Sequence, residues 1–131
     1  MFTMDDCMLA LTRGQMPCEK EVMDLFTKAI HPGSTRHNTM VEFVNHEMEC
    51  GSWNMCRARI ISKMDYMITE WVQEHINAFP IMEARFQKCL DNAILSGKIE
   101  RAASIRACQA KLREDLGYFK ALAPSRIARS Q

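Results

Sequence analysis

The chain has 131 residues, an apolar fraction of 47%, a charged fraction of 25% and a formal net charge of +1. That length suits one domain able to bury a core without cross-links, and the balance of apolar and charged residues excludes an extended disordered chain. No apolar run reaches the roughly 18 residues that a bilayer span needs, so no membrane partner is expected.

The first segment, Met1 to Arg13, carries Asp5 and Asp6 and no basic start. It is not expected to be a secretory signal, which leaves a cytoplasmic or nuclear address. Thr3 and Asp6 form a capping-box pattern, and Gly14 supplies a stop. A short helix from about Met4 to Arg13 should bury Met8 and Leu11. Pro17 suits the first turn of a second helix. Its apolar stripe is Val22, Leu25, Phe26, Ala29 and Ile30, ended by His31, Pro32 and Gly33.

Residues 31–38, HPGSTRHN, read as the one clear loop. Asn38 can cap a third helix with apolar positions Met40, Val41, Val44 and Met48, closed by Gly51. Ser52 can cap the longest helix. There Trp53, Cys56, Ile60, Met64, Met67, Ile68, Trp71, Val72 and Phe79 follow steps of three and four. Pro80 should end or kink it. Residues 81–96 continue with Met82, Phe86, Leu90, Ala93 and Ile94, and Gly97 breaks the run. The last helix is expected from about Lys98 to Leu122, stopped by Pro124. Residues 124–131 should be a basic flexible tail behind a helical domain spanning 1–123. The fold class expected is therefore all-α, a single-domain irregular bundle of five to six helices.

Six cysteines, Cys7, Cys18, Cys50, Cys56, Cys89 and Cys108, form no CxxC pair and mostly fall on helical patterns. They read as reduced, and most of them as small buried apolar residues. The eleven methionines read mainly as core filling, since methionine adapts to irregular gaps. His31, His37, His46, Cys50 and Cys56 are the densest set of metal-ligand types, and His37, His46, Cys50 and Cys56 are the candidate ligands among them. His46 and Cys50 lie one helical turn apart, and zinc favours such nitrogen and sulfur donors. The spacing matches no common zinc finger, so no cofactor is expected, with zinc as the one possibility these four residues raise.

No phosphate-binding glycine loop and no nucleophile elbow occurs. The HEMEC segment lacks the second histidine of a zincin helix. No enzyme is expected.

Charge is unevenly placed. Residues 1–97 hold nine Lys and Arg against thirteen Asp and Glu, whereas residues 98–131 hold eight against three. Arg106, Arg113 and Lys120 recur every seven residues and should form a stripe on the last helix, with Arg101, Lys111, Arg126 and Arg129 nearby. Such a row could follow a duplex RNA or DNA backbone. Beside it runs an apolar seam, Ile105, Gln109, Leu112, Leu116, Phe119 and Ala123. The four-three alternation is what a helix needs to lie along another helix, so Ile105 to Phe119 are the candidate interface of a homodimer. The function expected is a non-enzymatic, self-associating interaction or regulatory module with a protein partner. The alternative is a nucleic-acid-binding protein acting through the basic last helix. The methionine- and cysteine-rich helical texture would suit a viral regulatory or host-defence-suppressing protein.

Overall fold

The computed structural model describes residues 2–15 and 17–124. Arg126, Arg129 and the rest of the expected tail beyond Pro124 lie outside the described residues. The described chain is all-α, with five helices and no strand: α1 (Met4–Thr12), α2 (Glu19–Ala29), α3 (Thr35–Cys50), α4 (Trp53–Leu95) and α5 (Ile99–Leu122).

Helix α1 begins as the capping box requires. Thr3 Oγ1 accepts from the Asp6 backbone N–H, and the Asp6 carboxylate accepts from the Thr3 backbone N–H at 2.8 Å. Its buried residues are Met4 and Cys7, not Met8 and Leu11; Met8 is 38% exposed and Leu11 only half-buried. The helix carries apolar residues on every side, so periodicity cannot choose the buried face and docking against α4 does. Helix α2 starts at Glu19 behind Cys18, which leaves Pro17 outside the first turn. The Pro17 carbonyl instead accepts from Trp53 Nε1 at 2.9 Å, pinning the α1–α2 connection to the start of α4.

The loop expected over 31–38 is shorter than its composition suggests. Ser34, not Asn38, caps α3, its Oγ accepting from the His37 backbone N–H at 3.2 Å. Pro32 and Gly33 already break the chain, and Ser34 is the first residue after them able to satisfy a free helix N–H. Ser52 does sit at the start of α4, though its side chain makes no capping bond.

The largest departure is α4. It runs unbroken from Trp53 to Leu95 with Pro80 inside it. Proline removes one N–H, so the Ile76 carbonyl loses its helical donor. Helix α5 splints the helix on both sides of that defect. Trp71 meets the Phe119 ring at 4.3 Å between centroids, and Glu83 pairs with Arg113 at 3.1 Å. The proline ring itself is exposed.

Two cores result. The main one gathers α1, α2, α3, the first part of α4 as far as Ile76, and Leu122 and Ala123 at the end of α5. The second lies further along α4 and α5 and comes from those two helices alone: Leu90, Ala93, Ala102 and Ile105, with Phe86 packed against them.

Candidate functional site

From Pro80 onward α4 and α5 form a two-helix arm. Pro80 to Leu95 is about 24 Å of helix at 1.5 Å per residue. Its turn is a Schellman motif: Lys98 N–H donates to the Ala93 carbonyl and Gly97 N–H to the Ile94 carbonyl. Gly97 has φ +67°, where a side chain would be strained. The arm's buried core is four residues, and several large apolar side chains stay outside it. Ile94 is 52% exposed, Leu95 85% and Ile99 83%, all at the tip. Along one flank Met82, Arg85, Phe86 and Cys89 line a shallow apolar pocket of about 220 Å³. Met82, Phe86 and Cys89 follow helical spacing, so they make one strip. Residues 84–108 hold five Lys and Arg against two acids.

The expected basic residues are divided by this geometry. Arg101 and Arg106 are exposed. Lys111 pairs with Asp115 at 2.9 Å on its own helix, and that hydrogen bond raises its pKa. Arg113 is bound to Glu83 on α4, and Lys120 is half-buried. The seven-residue row is therefore not a uniform free stripe, because its middle member closes the α4–α5 contact.

The expected dimer seam lies largely against α4. Ile105 and Gln109 are buried, and Leu112, Leu116 and Phe119 are half-buried. Gln109 Nε2 donates to Gln87 Oε1 at 3.2 Å, and Phe119 packs on Trp71. The seam's partner is α4 of the same chain. The alternation showed that α5 lies along a helix, but a repeat on one helix cannot say whose helix that is.

The four candidate metal ligands are not brought together. His37 Nε2 lies 3.1 Å from Thr27 Oγ1, with its ring against Phe26. Cys56 is buried, and its Sγ donates to the Glu47 carbonyl at 3.2 Å. His46 and Cys50 are exposed. Among the described residues no group of three or more His, Cys, Asp or Glu could hold a metal.

A cleft of about 570 Å³ with a mixed polar and apolar lining, not foreseen from the sequence, lies between α3 and α4. Arg36, in the first turn of α3, reaches Glu70 at 3.1 Å and Glu74 at 2.7 Å. A hydrogen bond from Tyr66 and another from Arg36 hold the Glu70 carboxyl below its ordinary pKa. The Glu74 contact, with Glu70 adding, raises that of Arg36. Lys63 sits over the Phe43 and Tyr66 rings at 5.7 and 5.8 Å. The available signal was a cation in the first turn of a helix, where the helix dipole disfavours it, and two glutamates four apart on the next helix. With two carboxylates on its guanidinium, Arg36 clamps α3 to α4.

Comparison with protein-family models, with curated proteins and with solved structures finds no match to this chain.

Proposed function

We propose that this protein is a non-enzymatic interaction module that self-associates through the flank of its α4–α5 arm. The observation that carries the reading is the strip of Met82, Phe86 and Cys89 beside a core of only four buried residues. A second arm laid against that flank would complete a four-helix bundle and double the local core. The α5 seam takes no part, since α4 already covers it.

The charge around the strip makes the reading distinctive. Arg85 lines the pocket, and Lys88 precedes Cys89. A two-fold pairing brings these cations towards their own copies, so added salt screens a repulsion. Solution mass measured across protein concentration should give a dimer that tightens as salt rises, and Phe86→Glu should return it to monomer. A monomer at tens of micromolar in high salt refutes the reading.

A second reading, binding to duplex RNA or DNA, is favoured by the exposure of Arg101 and Arg106 near Lys98. Its salt dependence has the opposite sign, because phosphate contacts weaken as salt is added. Arg101→Glu with Arg106→Glu should abolish duplex binding at low salt and leave the dimer intact.

A further inference from the structure

We infer that the tip of the α4–α5 arm docks on an anionic lipid surface. This goes beyond the self-association reading and uses a different part of the arm, the end and not the flank. Three residues, Ile94, Leu95 and Ile99, lie on both sides of the turn and are 52%, 85% and 83% exposed. They crown the convex end of a hairpin, and a flat boundary between water and hydrocarbon can take up side chains from both helix ends at once.

The backbone on the α4 side of the tip is prepared for such a place. Peptide groups entering a poorly hydrated layer must already be hydrogen-bonded. Here Ser96 N–H donates to the Asn92 carbonyl, Gly97 to Ile94 and Lys98 to Ala93, at 2.9–3.1 Å. The α4 side of the turn can therefore enter the headgroup layer as it stands, while the first turn of α5, which no side chain caps, stays at the hydrated level of the headgroups.

The charge belongs to the same surface. Lys98 sits in the turn, and Arg106 shares a small pocket with Ile94, Lys98 and Ile99. Arg101 is exposed within about two turns of the tip, against Asp91 and Glu100 as the only acids of residues 84–108. Apolar insertion and cation–lipid attraction are each marginal alone, and stable surface binding needs two such signals together. A duplex backbone would use the cations but offer nothing to Leu95 and Ile99. The expectation of no membrane partner rested on spanning segments, and no helix among the described residues is long and apolar enough to cross a membrane. Surface docking requires no span.

The test uses the full chain and co-sedimentation at low salt. One vesicle type is an equal mixture of phosphatidylserine and phosphatidylcholine, and the other is phosphatidylcholine alone. The chain should sediment with the anionic vesicles and not with the neutral ones. Leu95→Glu with Ile99→Glu should weaken that binding about tenfold or more, and Lys98→Glu with Arg101→Glu should do the same. Both pairs are exposed, so circular dichroism should show an unchanged fold. Leu95→Trp should add blue-shifted fluorescence on anionic vesicles that the parent, with Trp53 and Trp71 both outside the arm, does not give. Failure of the parent to bind anionic vesicles overturns the proposal. So does binding that is lost on charge reversal yet indifferent to the apolar pair, which would assign the tip to a polyanion such as duplex RNA. Because the apolar pair lies off the flank, loss of vesicle binding with an intact dimer separates this outcome from the fate of the self-association reading.

Discussion

Trp71 stands where the main core meets α5. Its ring lies 4.3 Å from Phe119 and 4.2 Å from His75, centroid to centroid, and it packs against the main core while only half-buried. Truncating a large aromatic in a core costs roughly 3–5 kcal/mol, and the exposed part of Trp71 puts Trp71→Ala at the lower end. Thermal melting should show a drop of several degrees, whereas melting like the parent would mean that Phe119 and His75 close the gap. Cys7 makes a different prediction. Burial, then Asp6 and Glu21, push its thiol from 9.0 up to about 12. A folded-state pKa above the unfolded one favours the neutral thiol, so its contribution is complete below about pH 9 and is lost as pH rises towards 12. Denaturant midpoints measured from pH 8 upward should therefore fall in the parent and fall less in Cys7→Ala. The burial of Cys7 was legible as a class, small apolar cysteine. The expectation that most of the cysteines are buried fails, since Cys18, Cys50, Cys89 and Cys108 are exposed: a helix repeat marks a stripe and only the neighbours decide whether it is covered.

Helix ends were the most readable elements, since capping and left-handed turns are settled by nearby residues. The Thr3–Asp6 box and the stops at Gly14 and Gly97 stand as their residue types imply. The start of α3 shifted from Asn38 to Ser34 because two competent caps lie four residues apart. Pro80 misled for a related reason. It is a local signal to stop, and the contacts that override it come from Phe119 and Arg113, more than thirty residues away in sequence. Proline inside a helix is about 3 kcal/mol less favourable than alanine. Pro80 is exposed, and alanine there would restore a donor to the Ile76 carbonyl. Pro80→Ala should therefore raise stability on the order of 1–3 kcal/mol, read from the denaturant midpoint. An unchanged or lower midpoint would mean that the arm depends on a bend at this position.

Across the whole molecule, charge and core divide along the same line. Residues 1–80 hold eleven acids against seven Lys and Arg and contain most of the main core, while residues 81–131 hold ten Lys and Arg against five acids. Arg113 spans α4 and α5 through Glu83, with both side chains partly exposed. Arg113→Glu sets two carboxylates face to face and should cost about 1 kcal/mol, largely removed by salt. Adding Glu83→Arg should restore the parent's melting temperature, and failure to do so would show that the pair adds nothing to the arm. The sequence by itself determined the helical class, the Thr3–Asp6 cap and the Gly14 and Gly97 stops, most of the main core stripe on α2 and α4, and the excess of positive charge late in the chain. Each of these is a property of one residue's neighbours within a few turns. The tertiary structure alone decided that α4 runs through Pro80, that α4 of the same chain covers the Ile105–Phe119 seam, that Arg36 meets Glu70 and Glu74, and that His37, His46, Cys50 and Cys56 stay apart. Those outcomes depend on which helix faces which. An amphipathic repeat says that a face will be covered, and only the packing of the whole chain fixes what covers it.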